Sequence, residues 1–222
     1  MLLINEIFPS IQGESTFQGF PTVFIRLTGC NLRCSYCDTE YAFKSGNEQE
    51  ISSIIDTTCS FGIKHACITG GEPLIQDETP ELGYKLLKAG KIVSIETNGS
   101  IDVSVLDPGI KAVIDVKCPG SSVSGKTFMN NVLYPRPEDE FKFVLMGRED
   151  FDFAADFVKV YNLTEKNTVL FSPIINILKP SILAGWIVNE FPKVRFNLQI
   201  HKYIWNGISE KESVGFYRKK LV

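Results

Sequence analysis

The chain is poor in the features that would commit it to a membrane, to nucleic acid or to the oxidising exterior. No apolar run approaches the roughly 20 residues of a membrane span, and Met1-Leu2-Leu3-Ile4 meets Asn5-Glu6 at once, so no leader is expected. Net charge is only −3, which gives no electrostatic case for nucleic acid. The one basic run, Arg218-Lys219-Lys220, reads as a solvated tail. Histidines number two, His65 and His201, far from each other in the chain. No repeat, low-complexity segment or linker interrupts the 222 residues, which are read as one domain with 206–222 as a C-terminal extension. The expectation is a cytoplasmic protein.

What is present is concentrated in one loop. Thr28-Gly29-Cys30-Asn31-Leu32-Arg33-Cys34-Ser35-Tyr36-Cys37-Asp38-Thr39 places three of the six cysteines within eight residues. In a cytosolic chain such spacing points to metal or redox chemistry before structural disulfides. Three thiolates satisfy three irons of a cubane [4Fe–4S] cluster and leave the fourth open for a ligand. A zinc site would need a fourth ligand brought from elsewhere. From the loop alone both readings stand. Cys59, Cys67 and Cys118 share no short spacing and are expected as buried small hydrophobes.

The remaining pattern alternates strands and helices. Ile4–Phe8 reads as a short strand running into the polar turn Ser10-Ile11-Gln12-Gly13-Glu14-Ser15. Thr22–Thr28 reads as a buried strand whose Arg26 needs an anionic partner, either a structural carboxylate or a substrate. Helices are expected at 48–60, 81–89, 150–161 and 181–191, with Phe153, Ala154, Phe157 and Val160 inward on the third. Strands are expected at 65–69, 91–96, 110–116, 140–146, 168–172 and 194–200. Such alternation implies a parallel sheet with right-handed crossovers. About 222 residues is short for eight βα units of about 250. The fold class is therefore α/β, a partial TIM-like barrel of about six or seven mainly parallel strands. Its open edges would be covered by the N-terminal segment or by a second subunit. Cys30, Gly70, Glu96, Lys117 and His201 all fall just after strands, where barrels of this class build their sites.

The short strand at 65–69 ends in Thr69-Gly70-Gly71-Glu72-Pro73, whose paired glycines let backbone groups approach a ligand closely. Together with Cys30-x3-Cys34-x2-Cys37 it resembles the radical S-adenosylmethionine (SAM) superfamily. Ile11-Gln12-Gly13-Glu14, Cys37-Asp38-Thr39 and Gln199-Ile200-His201-Lys202-Tyr203-Ile204-Trp205 narrow the resemblance to the 7-carboxy-7-deazaguanine synthases, over about residues 4 to 205. That resemblance implies a [4Fe–4S] cluster on Cys30, Cys34 and Cys37, and SAM cleaved to a 5′-deoxyadenosyl radical. It implies a pterin substrate, 6-carboxy-5,6,7,8-tetrahydropterin, rearranged with loss of ammonia, and Mg²⁺ at Thr39. Ile11, Gln12, Gly13, Glu14, Arg26, Thr69 and His201 would meet the substrate. Tyr36, Cys37, Asp38, Gly71, Glu72, Glu96 (or Thr97), Asp115, Lys117 and Ser172 would meet SAM. A reducing partner such as flavodoxin or ferredoxin, and a homodimer, are implied as well. The alternatives are an activase of glycyl-radical proteins and a noncatalytic iron–sulfur or zinc module.

Overall fold

A computed structural model describes residues 1–205, so the extension at 206–222 and its basic run lie outside the described residues. Among the described residues one sheet has nine strands: β1 (Leu2–Ile11), β2 (Pro21–Leu27), β3 (Asn47–Gln49), β4 (His65–Gly70), β5 (Ile92–Thr97), β6 (Lys111–Asp115), β7 (Glu140–Leu145), β8 (Thr168–Pro173) and β9 (Arg195–Phe196). Their order is β3-β1-β2-β4-β5-β6-β7-β8-β9. From β2 to β9 every neighbouring pair is parallel. β1 is antiparallel to β2, and β3 to β1. The N-terminal segment thus covers the edge that an open barrel would leave beside β2.

The strands alternate in chemistry because they have two different faces. Ile25, Ile68, Ile95, Ile114, Phe143 and Phe171 point to the helices and join one apolar core. Phe141, Phe143, Phe151 and Phe171 are fully buried there; truncating any one to Ala would cost about 3–5 kcal/mol. The opposite face carries Arg26, Thr69, Glu96, Asp115 and Lys142, and it lines a cavity of about 570 Å³. A period of two puts one face in oil and the other around a ligand-sized space.

The helices are α1 (Ile51–Ser60), α2 (Thr79–Lys88), α3 (Asn130–Leu133), α4 (Arg148–Tyr161), α5 (Pro180–Glu190) and α6 (His201–Ile204). α5 is entered through Pro180 in its first turn, where the missing N–H has no intrahelical partner to lose. At the start of α4, Asp150 accepts from Met146 N and from Gly120 N, both at 2.8 Å, tying the loop after β6 to the helix.

Several expectations shift. Glu48 and Gln49, expected to start a helix at 48–60, lie instead in the edge strand β3. β1 runs on to Ile11, through what reads as the start of a polar turn. On α4 the buried apolar residues are Phe151, Ala154, Ala155 and Val158. Phe153 and Phe157 pack only at the margin, and Val160 is 69% exposed. The strand expected over 194–200 is reduced to Arg195–Phe196: after Asn197 N donates to Phe171 O at 2.9 Å the backbone leaves β8, and Ile200 N donates instead to Gly13 O at 3.1 Å. Cys59 is exposed on α1, unlike buried Cys67 and Cys118.

Candidate active site

The cavity is walled by residues from both ends of the chain. Glu6, Phe8, Ser10 and Ile11 come from β1, and Gln12, Gly13 and Glu14 from the loop that follows it. Cys30, Cys34, Tyr36, Cys37, Asp38 and Thr39 come from the cysteine loop; Thr69, Gly70 and Gly71 end β4. Glu96, Thr97, Asp115, Lys117, Lys142, Gln199 and His201 complete it. Of the residues singled out in the sequence, Glu72 and Ser172 do not line it.

The loop after β1 folds back into the sheet and is clamped at its far end. Thr16 donates from its backbone N to Glu140 Oε2 at 3.0 Å and from its hydroxyl to the same carboxylate. Lys111 adds an ammonium 3.0 Å from Glu140 and 4.7 Å from the Phe17 ring centroid. Phe17 and Phe20 sandwich His65, with centroids 5.0 and 4.7 Å away. Two residues before Thr16, Glu14 is thereby delivered into the cavity. Its carboxylate is bonded to Lys142 Nζ and to Gln199 Nε2, and its backbone N donates to Gln12 Oε1 at 3.1 Å. Burial alone would raise the Glu14 pKa, but Lys142, His201 and Gln199 hold it down at about 2. Desolvation would likewise strip Lys142 of its proton; Glu14, Asp115 and Glu96 keep it charged. Glu96 accepts from Gln12 at 3.2 Å and from Thr69 at 3.3 Å. Burial, with Glu14 nearby, pushes its pKa above the usual carboxylate range.

Arg26 meets the structural carboxylate that its setting allowed and keeps a cavity-facing side. Its Nε donates to Glu6 Oε1 at 2.9 Å and its guanidinium lies 5.6 Å from the Phe8 and Tyr41 ring centroids, yet it still borders the cavity. His201, at the start of α6, packs its ring on Gly13, whose carbonyl accepts from Ile200 N at 3.1 Å. Lys202 pairs with Asp38 at 2.7 Å, joining α6 to the cysteine loop.

That loop is held by its own backbone. Arg33 donates to the carbonyls of Cys30 and Leu32 at 2.8 and 2.6 Å and stacks over Phe43 at 4.3 Å. Ser35 reaches Ser121 O and Gly120 O at 3.0 and 2.7 Å. Cys30 Sγ accepts from Leu32 N at 3.4 Å, with Asn98 Nδ2 at 3.9 Å. Burial raises the thiol pKa of Cys34 and of Cys37. Among the described residues no three His, Cys, Asp or Glu side chains gather around a point fit for a single metal ion. Thr39 donates to Asp38 Oδ1 at 3.0 Å.

Gly70 and Gly71 allow a close approach, here of the chain to its own backbone rather than to the ligand expected from the sequence. Gly70 has φ +144°, and a Cβ on Gly71 would lie 2.1 Å from Gly29 O and 2.6 Å from Cys30 Cβ. Glu72 lies behind this contact. It is fully buried and accepts from Leu74 N at 3.0 Å, Thr97 Oγ1 at 2.9 Å and Asn98 N at 2.6 Å. Asp115 and Lys117 pair at 2.9 Å, and the Lys117 ammonium sits 5.7 Å from the Tyr36 ring centroid. Ser172 Oγ and the Tyr36 hydroxyl are buried without a partner.

Lys142 and Gln199 were not singled out as site residues. The signal for Lys142 was visible: a lysine inside an apolar strand needs carboxylates across from it. Gln199 opens one of the motifs that carry the resemblance, but its contact with Glu14 follows only from its position after β9.

A family model described as the Radical SAM superfamily matches residues 24–146. A 7-carboxy-7-deazaguanine synthase from Koribacter versatilis is 38% identical over 219 residues, covering 91% of this chain and 96% of that protein. Another from Chlorobaculum tepidum is 38% identical over 208 residues, covering 92% and 94%. The crystal structure of QueE from Escherichia coli shares the fold, with a TM-score of 0.74 at 22% identity over 89% of this chain and 93% of that one.

Proposed function

Because the chain belongs to the 7-carboxy-7-deazaguanine synthase family of the radical SAM superfamily, we propose that its cavity takes 6-carboxy-5,6,7,8-tetrahydropterin and rearranges it, with loss of ammonia, to 7-carboxy-7-deazaguanine. The chain is a radical SAM enzyme of queuosine and 7-deazapurine biosynthesis, with a [4Fe–4S] cluster and SAM as cofactors. The residues fit that cluster: Cys30, Cys34 and Cys37 border one cavity and supply three thiolates, one short of a fully ligated cubane. When bound, cluster and SAM supply the radical that removes a substrate hydrogen.

The observation that carries the substrate reading is the polar wall facing these thiols. Glu14 is a charged acceptor for ring N–H donors, and Gln12 fixes it from the backbone side. Arg26 offers a guanidinium to the substrate carboxylate, with Glu6 and two aromatic rings setting its direction. Thr69 and His201 close the sides, with Ile11 and Gly13 at the base of the wall. Thr39 presents an oxygen suited to Mg²⁺. Tyr36, Asp38, Gly71, Glu96, Asp115 and Lys117 border the SAM side. Glu72 and Ser172 support that side from behind the cavity wall. Side chains and backbone here orient and shield; the radical chemistry belongs to the cofactor.

A cytoplasmic location suits a chain in which no described helix is long and apolar enough to cross a membrane. The reductant is proposed to be a flavodoxin or ferredoxin, and the assembly a homodimer. The test is anaerobic turnover of the cluster-loaded, reduced enzyme with SAM, Mg²⁺ and the tetrahydropterin. Formation of 7-carboxy-7-deazaguanine without stoichiometric loss of SAM is expected. Reductive SAM cleavage without that product would overturn the substrate.

A further inference from the structure

Every residue of β7 is buried, and one of them is a lysine. Lys142 is 7% exposed, on the strand face that lines the cavity. A buried ammonium persists only where carboxylates compensate it. Glu14 does so from the loop after β1, and Asp115 from the adjacent strand at 3.5 Å. Asp115 is shared with Lys117, at 2.9 Å. The other Glu14 oxygen takes the Gln199 amide, whose own carbonyl Oε1 is buried without a partner. Glu14 is therefore gripped at both oxygens and at its backbone N–H, with an unused acceptor one amide away.

A carboxylate held this way keeps free lone pairs on two oxygens and offers no donor. Its complement is a pair of adjacent N–H donors, such as the ring N–H and exocyclic amine of a 2-amino-4-oxopyrimidine. Protonated, the same group would present an O–H and leave one of those donors unpaired, which is how buried polar groups discriminate. We propose that Lys142 is the positioning residue that holds Glu14 as an aimed carboxylate, and so gives the cavity its selectivity for an aminopyrimidinone N–H edge. The inference rests on the pterin substrate proposed above and names what makes the Glu14 contact selective. Lys142 acts through Glu14, so its loss does not merely remove a contact. It leaves Glu14 near the carboxylates Glu96 and Asp115, with the His201 ring beside it and the Lys117 ammonium beyond Asp115.

The test is binding rather than turnover. The cluster-loaded, unreduced enzyme with SAM is titrated with fluorescent 6-carboxypterin between about pH 5.5 and about pH 7, above an ordinary carboxylate and below loss of the pterin's own ring N–H proton. The wild-type affinity at each pH is the reference against which the variants are read. Lys142→Met should bind at least about tenfold more weakly near neutral pH, and the deficit should shrink as pH rises and Glu14 loses its proton. Lys142→Gln, a milder change that keeps a donor to Glu14 without charge, should show the same trend. In a Glu14→Gln background Lys142→Met should add no further loss, because residues that act as a unit are non-additive. Wild-type binding with unaltered affinity in both Lys142 variants, or losses that add in full, would overturn this inference alone. No pterin binding by the wild type would overturn the substrate and this inference together.

Discussion

Glu72→Ala separates a structural pin from a cofactor ligand. Its carboxylate accepts from Leu74 N, Asn98 N and Thr97 Oγ1, so it joins the turn after β4 to the end of β5. Alanine leaves two backbone N–H groups buried and unpaired, at about 1–3 kcal/mol each; the Thr97 hydroxyl can turn elsewhere. Burial pushes the Glu72 pKa up, so the charged form sits under some strain and its removal returns part of that cost. The net loss should be about 2–4 kcal/mol, a large part of the ~5–15 kcal/mol that holds a domain folded. At ~2–4 °C per kcal/mol for a chain of this size, Tm should fall by about 5–15 °C. Urea unfolding should show a lower midpoint at unchanged slope. SAM affinity, measured well below the variant's midpoint, should fall only modestly. Stability within about 0.5 kcal/mol of wild type, together with abolished SAM binding, would refute the pin and make Glu72 a direct ligand.

Other perturbations follow from the same geometry. Arg26→Ala should raise KM for the pterin at least about tenfold while iron content and SAM affinity stay near wild type; equal loss of all three would make the Glu6 pair its whole role. Thr39→Ala should weaken the Mg²⁺ dependence of turnover, and an unchanged metal titration curve would remove Thr39 from the metal site. Gly71→Ala would drive a methyl to 2.1 Å from Gly29 O, so iron and sulfide per chain after reconstitution should drop; full cluster occupancy would show that the loop can give way.

The parallel core of the sheet was legible because β2 and each strand from β4 to β8 is a short apolar run closed by polar, proline or glycine residues. Chemistry-bearing residues after those strands gathered for the same reason. β3 was not legible: Asn47, Glu48 and Gln49 favour helix over strand by composition, and only pairing with Leu2–Ile4 makes them an edge. On α4 the expected face was only partly right: Ala154 is buried and Phe153 and Phe157 pack at the core's margin, but Phe151, Ala155 and Val158 take the buried places and Val160 is exposed. Glu72 looked like a ligand from its motif; its hydrogen bonds connect residues 26 positions apart and are invisible in a linear reading. Gln199 was hidden for the same reason, since its partner Glu14 lies 185 positions away.

The clamp of Thr16 by Glu140 and Lys111 places the anchor of the recognition loop at the strand starts, across the sheet from the cysteine loop. Glu14 then behaves as the tip of a lever whose fulcrum lies two residues on. A substitution at Glu140 or Lys111 touches neither cofactor nor substrate, yet it frees the segment that carries Gln12 and Glu14. Such a change would register first as lost substrate affinity, with the core of the sheet still intact. In this chain a surface-distant binding defect and a loosened barrel floor are the same event seen from two sides.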